Sequence, residues 1–170
     1  MLVVSVAACG TSEPVSVDYN ERENTTLYSS QTINTGHTLA SSNYGSSRTL
    51  ELRASADCSG ADCTPETVRL AFLVTSGSNP VQFPDRSLVV ETDEETHEVS
   101  QAYRRDAEKT SRVGRHLLTV EMDFEKFEDI ATSENVDMKV GTRSFSLSHD
   151  RRATFRAMVD ATGGTQEITD

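Results

Sequence analysis

Tryptophan is absent from this chain, and only four Tyr and six Phe make up its aromatic complement. A sugar-binding platform of flat exposed rings therefore has few candidates, namely Tyr28, Tyr44 and Tyr103. Lysine is nearly missing as well. Of the 16 basic side chains only Lys109, Lys126 and Lys139 are lysines, which leaves 13 arginines against 27 acids and a net charge of −11. Such a balance argues against nucleic acid as a partner, because that binding rests on neutralising phosphates, and against adhesion to anionic lipid through a basic face. No run approaches the roughly 20 apolar residues that span a bilayer as a helix.

Catalytic signatures are missing too. There is no G-x-S-x-G elbow, no glycine loop to cradle phosphate and no H-E-x-x-H helix. His97-Glu98 opens like the last of these, but Gln101 stands where the second His belongs. Ser148-His149-Asp150 holds the residue types of a triad, yet sequence neighbours do not present three side chains to one substrate; the segment reads as a helix cap. Some pair among 27 acids always lies close together, so paired carboxylates carry no information about glycoside hydrolysis. The expectation is a non-enzymatic protein that uses no cofactor.

What is present describes a folded chain of ordinary size. The 170 residues, 35% hydrophobic and 25% charged, suit one domain. A compact unit of roughly this length removes about two-thirds of its extended surface from water, enough for a real core. The acidic, lysine-poor composition also suits a halophilic protein, whose carboxylates repel one another until salt screens them.

The N-terminus reads Met1-Leu2-Val3-Val4-Ser5-Val6-Ala7-Ala8-Cys9, followed by Gly10. A short apolar run, two small residues and a Cys is the end of a signal peptide. Here the chain resembles the bacterial lipoproteins, with Val6-Ala7-Ala8-Cys9 as the lipobox; no specific domain family is recognised. The resemblance implies removal of residues 1–8 as a signal remnant and a lipid on Cys9 that anchors the chain to the membrane. By the same likeness Gly10, in place of Asp, favours the outer membrane. Residues 9–24, rich in Thr, Ser, Glu, Asn and Pro, read as a flexible tether.

Cys58 and Cys63 flank Ser59-Gly60-Ala61-Asp62. In an exported chain such a pair closes a disulfide at a loop tip. Redox pairs use the shorter C-x-x-C spacing, and His37, His97, His116 and His149 form no zinc cluster. Glu91, Asp93, Glu94 and Glu95 offer hard oxygens for calcium, but without the fixed Asp/Asn/Gly spacing of ordered calcium loops; a solvated hairpin tip is the plainer reading.

Over residues 25–147 the dominant period is two. Leu50, Leu52, Ala54 and Ala56 alternate with polar residues, as in a strand with one buried face. Residues 68–74 are nearly continuously apolar and read as a central strand covered on both sides. Residues 87–92 run into the acidic turn, and 97–104 return from it. Around Gly141-Thr142, a type II′ turn gives cross-strand pairs that sum to 283, so that Met138 meets Phe145 and Val136 meets Leu147. Two short helices follow strands: 124–132, capped by Asp123 with Met122 and Phe127 as a staple, and one capped by Ser148 that runs to about 162 with Phe155, Met158 and Val159 as its apolar stripe.

These signals predict a mainly β fold, an antiparallel β-sandwich over 25–164 with one or two short helices near the C-terminus and a frayed tail at 165–170. The expected function is that of a cell-envelope lipoprotein whose sandwich binds another envelope protein or forms part of the surface. The alternative is a ligand- or calcium-binding accessory domain of an envelope system.

Overall fold

A computed structural model describes residues 13–38, 49–76, 88–99, 104–110, 113–140 and 143–163. Eleven strands among these residues form two antiparallel sheets, and two short helices close the C-terminal part. The first sheet runs in the order β1 (Val15–Asn20), β2 (Thr25–Ser30), β4 (Thr49–Ser59), β5 (Thr67–Ser76), β9 (Val113–Asp123), β8 (Arg104–Thr110), with β3 (Ile33–Thr38) also on β4. The strands β2 and β3 follow one another along the same edge of β4, the first on Ser59 to Ser55 and the second on Leu52 to Thr49. The second sheet has the order β11 (Arg143–Ser146), β10 (Asp137–Val140), β6 (Leu88–Glu91), β7 (Thr96–Val99).

Period-two patterning explains the layering. Leu50, Leu52, Ala54 and Ala56 of β4, Val68, Leu70 and Phe72 of β5, and Leu118, Val120 and Met122 of β9 are all buried on one face. From the second sheet Leu88, Val90, Met138, Val140 and Phe145 join them in one continuous core. The fold is β-sandwich-like, as the alternation predicts. The reading of β5 as covered on both sides needs correction: its second face carries half-buried Ala71 and Leu73 and exposed Arg69.

The hairpin of β10 and β11 has the expected register, with Asp137, Met138, Lys139 and Val140 opposite Ser146, Phe145, Ser144 and Arg143. Its turn, Gly141-Thr142, lies outside the described residues, as do Cys9, Tyr44, Tyr103 and the tail at 165–170. The acidic turn joins β6 to β7 as a second hairpin.

Helix α1 spans Phe124–Thr132, and its buried face is Phe124, Phe127, Ile130 and Ala131. Asp123 stands at its N-cap, but its carboxylate takes the Lys126 ammonium at 2.8 Å instead of a backbone N–H. The first orphan donor, Phe124 N–H, goes to the Glu66 carbonyl at 2.9 Å, which ties the helix to the start of β5. Helix α2 spans Ala153–Ala161 and buries Phe155, Met158 and Val159. A single 3-10 turn, Asp150–Arg152, leads into it, so the chain does not enter the helix through a Ser148 side-chain cap. Phe127 and Phe155 meet with ring centroids 5.1 Å apart, and α2 also rests on β1 and β2.

Part of the stretch read as tether is structured. Val15–Asn20 pairs with β2 over six residues without a shift in register. Only Val15 of the six is buried, because β1 is the outermost strand, and an edge strand shows the polar composition of a linker.

Candidate functional site

The described residues offer three places where side chains converge: the Cys58–Cys63 loop, a polar cluster between α1 and the β6–β7 hairpin, and a depression on the outer face of the smaller sheet.

Cys58 and Cys63 are bonded to each other, with Cα atoms 6.0 Å apart. The loop they close is held from below by the strands it crosses. Gly60 N–H donates to the Asn24 carbonyl at 2.8 Å, the Thr26 hydroxyl to the Gly60 carbonyl, and the Tyr28 hydroxyl to the Cys63 carbonyl at 3.1 Å. Tyr28 is thus a buried strut and not a sugar platform; burial, then nearby Asp62, raises its pKa.

In the polar cluster, β7 turns His97 inward opposite Val90, a core-facing position that an imidazole can hold only with a partner. Asp129 of α1 supplies it, with Nε2 and Oδ2 2.6 Å apart. The same carboxylate accepts from the Thr92 hydroxyl at 2.9 Å and the Ser133 hydroxyl at 3.0 Å. Burial raises the Asp129 pKa, but the hydrogen bonds from His97, Thr92 and Ser133, with the attraction of the His97 ring, hold it below its usual range. An Asp–His pair is two-thirds of a hydrolytic triad. The other imidazole nitrogen, however, faces Glu95 at 3.9 Å, where a nucleophile would have to stand. The arrangement is a clamp between hairpin and helix.

Three of the four calcium candidates, Glu91, Asp93 and Glu95, diverge, and Glu94 is exposed. Glu91 faces the outer side of the sheet, and Glu95 approaches His97. Asp93 accepts from Glu134 N–H at 2.7 Å, Asn135 N–H at 2.9 Å and Asn135 Nδ2 at 2.8 Å. Those bonds, from Asn135 first, lower the Asp93 pKa. Among the described residues no three His, Cys, Asp or Glu side chains gather as a metal site. Asp93 therefore fastens the chain that leaves α1.

Beneath this cluster lies Arg152, which is fully buried. Its guanidinium donates to the carbonyls of Leu147 at 3.0 Å, Ile130 at 2.8 Å, Ala131 at 3.3 Å and Glu134 at 2.8 Å. Ile130 and Ala131 end α1, where carbonyls lose their helical donors. Burial, then the neighbouring Arg156 charge, lowers the Arg152 pKa, and Asp93 opposes this. Arg151 points the other way, onto the Thr35 carbonyl. It lies so close to Gly36, at φ +70°, that a Cβ there would collide with the guanidinium. Ser148, His149 and Asp150 are all exposed and do not converge.

An open depression of about 370 Å³ lies on the outer face of the smaller sheet. Glu91, Asp137 and Lys139 bring charge to it, and Ser144 and Ser146 bring hydroxyls. Asp137 accepts from the Ser146 hydroxyl across the hairpin. Among the described residues no exposed aromatic ring lines it.

The pairing His97–Asp129 and the burial of Arg152 escaped the sequence reading. Residues 97 and 129 are 32 apart, with no motif between them. Arg152 did leave a signal: it precedes Phe155 by three and Val159 by seven, on the apolar stripe of the helix.

No protein-family model matches the chain, and no curated protein or solved structure matches it significantly. The fold and its interactions therefore stand as the basis for a functional reading.

Proposed function

We propose that this chain is a non-enzymatic lipoprotein of the bacterial cell envelope, anchored through Cys9, most simply at the outer membrane, with its β-sandwich serving as a protein-binding or surface-structural module. The observation that carries the reading is the Cys58–Cys63 bond. Disulfides persist in oxidising compartments, so the bond favours export. It also uses two of the three cysteines, which leaves the lipobox cysteine for lipid. The Asp129–His97 clamp and the buried Arg152 support a non-catalytic role, because both are spent on holding elements together.

The depression on the smaller sheet favours a second reading, a ligand-binding accessory domain. Its mixture of carboxylates, an ammonium and hydroxyls suits a small polar ligand with both donors and acceptors. The calcium form of that reading loses support from the divergence of Glu91, Asp93 and Glu95.

Intact mass of the chain, expressed in a bacterium behind a full upstream signal, tests the leading proposal. Lipid-sized mass on a chain starting at Cys9, plus two hydrogens gained on reduction, is the expected result. An unlipidated chain that retains residues 1–8 and carries free thiols would overturn it.

A further inference from the structure

Three large apolar side chains stand exposed among the described residues, and all three lie at one margin of the larger sheet: Val17 at 52%, Tyr19 at 44% and Leu27 at 41%. Val17 and Tyr19 belong to β1, the terminal strand, whose outer edge pairs with no strand among the described residues. Through the register with β2, Val15, Val17 and Tyr19 share the face of Ser30, Tyr28 and Thr26, which are buried. The two exposed side chains thus continue the core-facing row to the margin where α2 rests on β1 and β2, and they stay open to solvent there. Protein edges of this kind are blunted by Lys, Pro or a bulge. Residues 15–20 contain no Lys and no Pro, and their register with β2 is unbroken. Asp18 is the one charge, and it points to the opposite face.

We propose that a second copy of this chain pairs antiparallel on β1, about a two-fold axis through Val17, and joins the two larger sheets into one. The strand is its own complement in that register. Val17 meets Val17 of the second copy, Val15 meets Tyr19 on each side, and Ser16 meets Asp18. Apolar side chains then form one uninterrupted row, and neither Asp18 opposes its equivalent. Shifting the pairing by one residue sets every apolar side chain against a polar one. A shift of two in one direction places Asp18 directly against Asp18, a repulsive cross-strand pair; a shift of two in the other leaves Tyr19 without a β1 partner. Within residues 15–20 a single register therefore satisfies both pattern and charge, as an isologous interface requires, and the like-charged Glu13 and Glu21 fall opposite each other only beyond the strand ends. A foreign strand of other chemistry could add to the same edge, but nothing in it would need this self-symmetry. The pairing depends on the polypeptide alone and is independent of the lipid anchor.

The test uses the full chain with Cys9→Ser, so that no other free thiol competes. Sedimentation equilibrium up to about millimolar protein should show the mass rising from 18.6 kDa to twice that value. Val17→Lys should hold the chain at the monomer mass with an unchanged melting temperature in dilute solution; Val17→Thr, which keeps the β-branch, should weaken association less. Under mild oxidation Val17→Cys should give a covalent dimer, and Ser16→Cys should not, because its counterpart across the axis is Asp18. A monomer at every concentration overturns the proposal, as does Val17→Lys associating as tightly as its parent. Cross-linking through Ser16→Cys in preference to Val17→Cys overturns the register and with it the argument.

Discussion

Replacing Arg152 by Ala should be the most damaging single truncation of a polar side chain in this fold. Four carbonyls share its guanidinium, three of them at 2.8–3.0 Å. A hydrogen bond to a charged group is worth about 1.5–3 kcal/mol net, so three good ones represent about 6 kcal/mol. Removing the guanidinium also removes the cost of keeping a charge out of water, which returns several kcal/mol. The balance is a loss of about 3 kcal/mol, because the carbonyls of Ile130, Ala131, Leu147 and Glu134 stay behind without their donor. For a chain of this length that corresponds to a melting temperature lower by about 10 °C. Thermal and urea denaturation followed by circular dichroism would measure it. Arg156→Ala is the control, since Arg156 makes one exposed bond to the His149 carbonyl and should cost less than about 0.5 kcal/mol. Arg152→Lys should recover less than half of the loss, because an ammonium cannot fork toward four acceptors. Should Arg152→Ala melt within a degree or two of the Arg156→Ala control, the buried guanidinium would not be the bolt described here.

Three further perturbations test other parts of the structure. Asp129 has a lowered pKa against an ordinary 3.8, so its contribution to stability is complete above that value and is lost as pH falls through the lower, folded value. Asp129→Asn should therefore flatten the acid limb of stability against pH in urea titrations, and an unchanged acid slope would contradict the clamp. Joint replacement of Cys58 and Cys63 by Ser should cost about 2 kcal/mol, the value for so short a loop. Calorimetry with and without reductant should then differ for the parent and agree for the variant. Gly36→Ala and Gly163→Ala impose similar backbone strain, at φ +70° and +72°, but only the first meets another side chain, that of Arg151. Gly36→Ala should lower the melting temperature clearly more, and equal effects would remove Arg151 from its assigned seat.

What the sequence made legible was local. The hairpin register around Gly141-Thr142, the span of α1 and the buried face of β4 each follow from a period carried within a dozen residues. Strand β1 was misread because an edge strand with five of its six residues exposed has no apolar alternation to announce it. His97 could not be matched to Asp129, since a hydrogen bond between a hairpin and a helix leaves no spacing rule in either. Arg152 was hidden by its own charge: an arginine on an apolar stripe looks like a solvent-facing neighbour until the carbonyls it serves are found. The fold class was therefore readable, and the polar bolts that fix one arrangement of it were not.

The position of Arg152 near the end of the described chain has a kinetic consequence. The carbonyls it serves belong to residues 130–147, and the helix that follows it lies on β1 and β2, the first strands. Until residue 152 arrives, the end of α1 is an open polar wound, and the first sheet lacks the helix that shields its margin. The contacts of α2 with β1 and β2 have long sequence separation, and such contacts slow folding. The segment from Arg152 onward is thus a clasp: one side chain closes the end of α1 while the helix behind it covers β1 and β2, so that a single stretch fastens both ends of the described fold.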